Sequence, residues 1–357
     1  MVGNRKRRAF TLIELMVSLA IVSAMVGALL PAVQNARESA RRTQCLDRLR
    51  QIGSAMHQHH GAQKSLPAGY RSSPTSDGLA PGGVLVDPQT WDAGPGWGWA
   101  AQILPYLEQA PMFDALHIDL PVWDAKNLEL VAVETPTFLC PSSASDAGTF
   151  LVRNAAGDEL NVQGVPVALA RSHYVASHGQ ESCWGECGAA ATAVVFTDIY
   201  RGATRRILVE GDASRVADGP FFRNSRTRFK QISDGLSQTL FIGEHTPRLS
   251  DKAWGGVVPG AVVHPRLQTP ENGPDAAATL VLVHGGPSGG ELDITGFPII
   301  HPVNFPTMHV GQMASDHPGG GNVCLGDASA RFVGEDVNLF TWAELSSMNE
   351  GEVAGVW

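Results

Sequence analysis

The run from Phe10 to Val33, FTLIELMVSLAIVSAMVGALLPAV, holds about 24 residues and a single charge, Glu14. At helical rise such a run crosses a hydrocarbon core of roughly 30 Å, so it reads as a membrane-spanning helix. Thr11, Ser18 and Ser23 can satisfy their hydroxyls on the helix's own carbonyls. Glu14 has no such outlet, and a charge at mid-membrane costs on the order of 3 kcal/mol, less near an interface. It therefore needs a partner. In an uncut chain the basic stretch Arg5, Lys6, Arg7, Arg8 draws the carboxylate towards the interface. If the chain is cut before Phe10, the new amino group lies four positions from Glu14. A pair about 4 Å apart gains about 4 kcal/mol at an effective dielectric near 20, enough to offset inserting the carboxylate. An ordinary signal peptide competes, with its basic and apolar regions over 1–28 and small residues from Ala24 to Ala28. Against it stand the length of the apolar run, the position of Glu14 within it, and a helical pattern that continues past Pro31.

That continuation is amphipathic to about His60. Cys45, Leu49, Ile52 and Met56 fall on one face, while Arg37, Glu38, Arg41, Arg42, Asp47, Arg48 and Arg50 populate the others. Pro31 removes a backbone donor and is a candidate kink. The expectation is one long helix, half in lipid and half packed on an exported domain; basic residues flank both sides of the span, and the tight Arg5–Arg8 cluster favours the N-terminus on the cytoplasmic side of the inner membrane. The first 50 residues hold nine basic and three acidic side chains, which leaves 17 basic against 32 acidic residues, a balance of −15, to the rest. Such a domain repels nucleic acid and anionic lipid. With 39 Gly and 23 Pro it favours turn-rich β-structure over bundled helices.

Short strands are expected at Phe138 to Pro141, His173 to Ala176, Ala193 to Thr197, Arg228 to Ile232 and Thr239 to Glu244, with a tight turn at Asp234-Gly235. Two or three more are expected over 255–315, and an alternating strand pair from Asn322 to Val333. Leu66 to Pro95 reads as loop, and Trp97 to Leu116 as a helix interrupted at Pro105. Of the five cysteines, Cys183 and Cys187 are close enough for a local staple, Cys45 can meet Cys140 and tie helix to sheet, and Cys324 reads as a buried strand residue. Cys183 and Cys187 lack the second closely spaced pair of a zinc site. A metal set drawn from His57, His59, His60, His317 and Asp327 requires two distant elements to meet, and the alternative is histidines hydrogen-bonded at a helix end. The stretch Thr279-Leu-Val-Leu-Val-His-Gly-Gly-Pro-Ser288-Gly-Gly imitates the strand and oxyanion loop of a hydrolase and the G-x-S-x-G elbow. Only about 70 residues follow, too few for the rest of that fold, and Pro287 beside Ser288 suits a turn. No Walker loop, dinucleotide fingerprint or HExxH is present.

The basic leader, the small residue Ala9 and Phe-Thr-Leu-Ile-Glu-Leu (10–15) resemble the processing motif of type IV prepilins and type II secretion pseudopilins. The resemblance implies cleavage between Ala9 and Phe10 by a prepilin peptidase, N-methylation of Phe10, and Glu14 as the assembly carboxylate that neutralises the terminal amine of a neighbouring subunit. Ala9 stands where Gly is usual. A second resemblance spans nearly the whole chain. Ser315-Asp-His-Pro-Gly-Gly-Gly-Asn-Val-Cys-Leu-Gly-Asp-Ala-Ser (315–329) is similar to the H-x9-DG signature, here His317 and Asp327, of the pilin-like family called domain of unknown function 1559, abundant in planctomycetes. Cys45 with His57 and His60, Leu-Pro-Tyr-Leu-Glu-Gln (104–109), Cys-Pro-Ser (140–142) and Ile-Ser-Asp-Gly (232–235) running on to Gly243-Glu244 match it too. The signature departs at Ala328, which strains any turn that needs positive φ.

The expectation is an α+β, pilin-like chain: leader 1–9, span 10–33, helical continuation 34–62 and an exported domain 63–357 with the signature at 317–328. Its implied role is a non-enzymatic subunit of a type II secretion or related filament, with prepilin peptidase/methyltransferase and other pilin-like subunits as partners and no cofactor or metal. The alternative is a monomeric, membrane-tethered binding protein for carbohydrate or cell-surface polymer, with Trp91, Trp97 and Trp99 as stacking platforms. Glycine-flanked tryptophans more often pack than stack on sugar.

Overall fold

A 52-residue helix, α1 (Leu12–Gln63), dominates the computed structural model, which describes residues 11–73, 92–146, 148–162, 164–180, 194–198, 203–207, 217–267, 269, 272–287, 299–351, 354, 355 and 357. Ala9, Phe10, Trp91, Cys183 and Cys187 lie outside the described residues. Thr11 caps the helix, and its last turn closes on Lys64 in the left-handed conformation. α1 runs on as helix through Pro31. From Leu12 to Arg37 every residue is exposed, and the first partly covered side chain is Glu38. Beyond it Cys45, Leu49, Ile52, Gly53, Ala55, Met56 and His59 are buried, which contains the expected stripe in full.

That stripe packs on a five-stranded sheet built from β1 (Tyr174–Gly179), β2 (Leu240–Glu244), β3 (Leu282–His284), β4 (Gly320–Leu325) and β5 (Ala330–Gly334), in the order β3-β1-β2-β4-β5. All neighbours pair antiparallel except β3 with β1. One face, with Ala176, Ile242, Leu282 and Cys324, joins the core under α1. The other, with Val175, Val283, Val323 and Leu325, packs on Trp342, Ala343 and Leu345 of α2 (Leu339–Ser346). Burial on both faces explains why β1, β2 and β4 show no polar alternation: every residue in them is buried.

Short two-stranded pieces and helical turns fill the long connections between these elements. Two expected strands are corrected. Arg228 to Ile232 contains a 3-10 turn, Phe229–Gln231, whose apolar residues recur at three rather than two. Phe138 to Pro141 joins two 3-10 segments, Pro136–Phe138 and Pro141–Asp146, each opened by a proline that a ladder does not accommodate. Within Trp97 to Leu116 the helix begins only at Trp99, gives way to a 3-10 turn at Pro105 and resumes at Ala110. Among the described residues of 255–315 three short strands appear, as expected. Asp234-Gly235 turns the chain, with Gly235 at φ 101°, but its carboxylate reaches across to the amides of Glu350 and Gly351 at 3.0 and 2.8 Å.

Candidate functional site

At the start of α1, Thr11 and Glu14 form a reciprocal cap. Thr11 Oγ1 accepts from the Glu14 amide at 3.3 Å, while the Glu14 carboxylate accepts from the Thr11 amide at 2.9 Å and its hydroxyl at 2.7 Å. The carboxylate thus folds back over the helix terminus, one peptide from Phe10. Around it Leu12, Ile13, Leu15, Met16, Leu19 and their successors to Val33 stand uncovered, Leu12 at 78%. Ser18 turns its hydroxyl onto the Leu15 carbonyl at 2.9 Å, as a serine in an apolar span must.

Where α1 first meets the sheet, four stretches singled out in the sequence interlock. Cys45 comes from the helix, Cys140 and Ser142 from Cys-Pro-Ser, Glu244 from the end of β2, and His317 from the turn leading into β4. His317 is the hub. Its Nδ1 lies 2.5 Å from Glu38 Oε1 and 3.3 Å from Ser142 Oγ; its Nε2 lies 3.3 Å from Glu244 Oε1 and 3.6 Å from Cys140 Sγ. Glu38 also accepts from Ser142 Oγ at 3.0 Å and pairs with Arg41. Glu244, 2% exposed, accepts from Ser315 Oγ at 2.7 Å, from the Asn322 amide at 2.9 Å and from Asn322 Nδ2 at 2.9 Å. Asp316 ties the same turn to Ser143 and Thr246, at 2.5 and 2.8 Å.

The electrostatics follow from burial opposed by pairing. Burial pulls the His317 imidazole down, but Cys140, Glu244 and Glu38 outweigh it and hold the imidazolium up to about 11. Burial raises Glu244 and Glu38, and the same imidazolium brings both below the usual carboxylate range, helped by Asn322 for the first and by Arg41 and Ser142 for the second. The neighbouring Cys45 thiol and burial push Cys140 far up. Cys45 and Cys140 stand side by side as free thiols, and so does Cys324, buried in β4 with its thiol pushed up to about 12 by burial.

The other singled-out residues do not join this site. His57 Nε2 meets the Gly326 carbonyl at 2.8 Å, His59 Nδ1 meets the Ser65 carbonyl at 3.0 Å, and His60 stacks on Phe229 with centroids 3.8 Å apart. Asp327 turns the β4–β5 hairpin, its carboxylate accepting from the Ser329 amide at 2.9 Å, and Ala328 takes φ 65°. His317 and Asp327 therefore sit at opposite ends of β4. Trp97 and Trp99 are no stacking platform: both are buried, their indoles donating to the Leu120 and Val281 carbonyls at 2.9 and 3.1 Å. The oxyanion imitation fails likewise, because Gly285 and Gly286 spend their amides on the Gly179 and Gln180 carbonyls at 2.7 and 3.0 Å. A separate trio, His284, His301 and His309, is buried with ring centroids 5.0 to 5.3 Å apart.

Sequence reasoning missed Glu38, Tyr174 and Asn322. For Glu38 a signal existed: it lies seven residues before Cys45, so two turns earlier it shares that residue's face and not, as expected above, one of the others. For Tyr174 and Asn322, uniformly buried strands carry no period to read.

A family model described as a protein of unknown function, DUF1559, matches residues 34–339, and a model of the prokaryotic N-terminal methylation motif matches residues 4–30. No curated protein and no solved structure matches the chain. The second match covers the leader, Glu14 and most of the apolar run, and marks a type IV pilin-like, prepilin-processed N-terminus with a single-pass membrane anchor. The first covers everything from the foot of that anchor through the sheet, the His317 hub and the β4–β5 hairpin, so this chain belongs to the DUF1559 family and carries a prepilin-type methylation motif at its head.

Proposed function

We propose that the chain is a non-enzymatic pilin-like or pseudopilin-like subunit of a type II secretion or related filament system, held in the inner membrane with its acidic domain outside. Prepilin peptidase cuts between Ala9 and Phe10, and Phe10 is N-methylated. Glu14 then neutralises the amine of a neighbouring subunit as the apolar helices bundle. One observation carries this reading: from Leu12 to Val33 the helix is apolar and wholly uncovered by its own chain, while from Glu38 onward it is clamped to the sheet. A rod of that kind needs lipid or sister helices around it. The Glu14 carboxylate, folded back over the helix terminus onto the Thr11 amide, supports the reading of an amine as its partner.

The test is the mass of the N-terminal peptide from native membranes. A chain beginning at N-methyl-Phe10 is the expected result. A chain beginning near residue 28 identifies a discarded signal peptide and overturns the filament reading.

A further inference from the structure

Cys45 Sγ, Cys140 Sγ, a Glu244 carboxylate oxygen and a His317 ring nitrogen all lie within 4.8 Å of one another, on four buried residues from four separate elements. We propose that this cluster is a four-coordinate zinc site that staples α1 to the central sheet. It lies in the domain outside the membrane and does not depend on the filament reading.

The separations fit an ion. Tetrahedral bonds of about 2.3 Å to sulfur and about 2.0–2.1 Å to nitrogen or oxygen place neighbouring donors about 3.6 Å apart for N and S, and about 3.3 Å for N and O. His317 Nε2 stands 3.6 Å from Cys140 Sγ and 3.3 Å from Glu244 Oε1. The surrounding bonds are those a ligated imidazole requires. Glu38 holds Nδ1 at 2.5 Å, which fixes the ring and turns Nε2 inward, the carboxylate–histidine arrangement that orients zinc ligands. Ser315 and the Asn322 amide hold Glu244 Oε2, while Oε1 accepts from Asn322 Nδ2 at 2.9 Å and faces His317 Nε2 at 3.3 Å, with its second lone pair towards the cluster. The Tyr174 hydroxyl is buried beside Cys45, Glu244 and Cys140, so the cluster is closed off from solvent on that side. Two thiols, an imidazole and a carboxylate suit zinc better than calcium or magnesium, which take oxygen. On binding, Cys45, Cys140 and the Nε2 of the His317 imidazolium each release a proton to solvent, so that two thiolates, a neutral imidazole nitrogen and a carboxylate face the dication.

Metal content of the full-length chain, extracted from membranes in detergent, tests the assignment alongside peptide mapping without reduction. One zinc per chain is expected, with Cys45 and Cys140 as thiols once the ion is chelated away. Cys45→Ser and Cys140→Ser should each lower bound zinc by about tenfold or more, and Glu38→Gln should weaken binding by about 10- to 100-fold. His301→Ala, in the separate histidine trio, should leave zinc in place. If the cysteine variants fail to fold, wild-type chain reloaded with Co2+ gives the same reading. Thiolate-to-cobalt charge transfer with strong tetrahedral visible bands is expected, and the weak spectrum of octahedral cobalt overturns the proposal. It is equally overturned by a Cys45–Cys140 disulfide in the native chain, by absence of zinc, by zinc that survives in folded cysteine variants, or by zinc lost with His301→Ala.

Discussion

Gly53 of α1 faces Ala328, the corner of the β4–β5 hairpin, so closely that a Cβ on Gly53 would lie 3.0 Å from both Cα and Cβ of Ala328 and 2.7 Å from Cys324 Sγ. Only hydrogen at position 53 lets the helix settle onto the hairpin. Gly53→Ala should lower stability by about 1–3 kcal/mol, because backbone and a buried strand residue stand in the way. Denaturant titration of the full-length chain in detergent, with a tryptophan signal from the domain, measures it.

The partner position carries the opposite prediction. Ala328 holds φ 65°, where a Cβ crowds the following carbonyl. Ala328→Gly should therefore raise stability by about 1 kcal/mol, slightly offset by the extra backbone freedom of the unfolded chain. The same titration decides it, and an unchanged midpoint would show the turn to be unstrained.

Under the proposed function Glu14→Ala should reduce incorporation into filaments by more than about tenfold, since the proposed pair with an amine is of the order of 4 kcal/mol before desolvation. Leu49, Ile52 and Met56 lie far along α1 from it, so thermal unfolding of the domain should not change. Quantitative blotting of sheared surface fractions against membrane fractions reads the first effect, and calorimetry the second.

Lys252 is 1% exposed, its Nζ donating to the Thr279 and Val310 carbonyls at 2.6 Å each. Burial brings its amine down to about 7, against the opposing pull of Asp275 and Asp251. Between pH 7 and the unfolded value near 10.5 the unfolded chain holds a proton that the native chain has released. Stability from this group therefore rises with pH through that window, by up to about 1.4 kcal/mol per pH unit, and is flat below it. Lys252→Met should remove that slope, as stability curves at pH 7, 8.5 and 10 would reveal.

Trp99 donates its indole to Val281 and packs edge-on against Phe138 with centroids 6.0 Å apart. Trp99→Ala should lower stability by about 3–5 kcal/mol, as expected for a buried aromatic. Were the side chain a sugar platform, stability would stay and only carbohydrate retention would fall.

Much of the fold was legible because its strongest signals are local. The Cys45, Leu49, Ile52, Met56 spacing located the buried face of α1, and the strand signals at Thr239 to Glu244 and from Asn322 to Val333 located central strands. Legibility failed where proline and a three-residue period produced 3-10 turns at Phe138 and Phe229 that look like short strands in a string of letters. The junction is a different matter. Cys45, Cys140, Glu244 and His317 are separated by 95, 104 and 73 residues, so no spacing announces them as a set. The sequence reading pairs Cys45 with Cys140, but Glu244 reads alone as a strand end and His317 as a turn histidine, and the sheet order β2-β4 under α1 brings the four together.

From Leu12 to Arg37 the helix extends about 40 Å beyond its first grip on the domain. That free length is a lever arm. A sideways force of any size at the tip acts on the Glu38–His317 contact with the full leverage of the rod, whereas tension along the axis is shared with Leu49, Ile52 and Met56 deeper in. Load along the axis is thus spread over more contacts than a bending load, which concentrates at the collar where Glu38 meets the sheet.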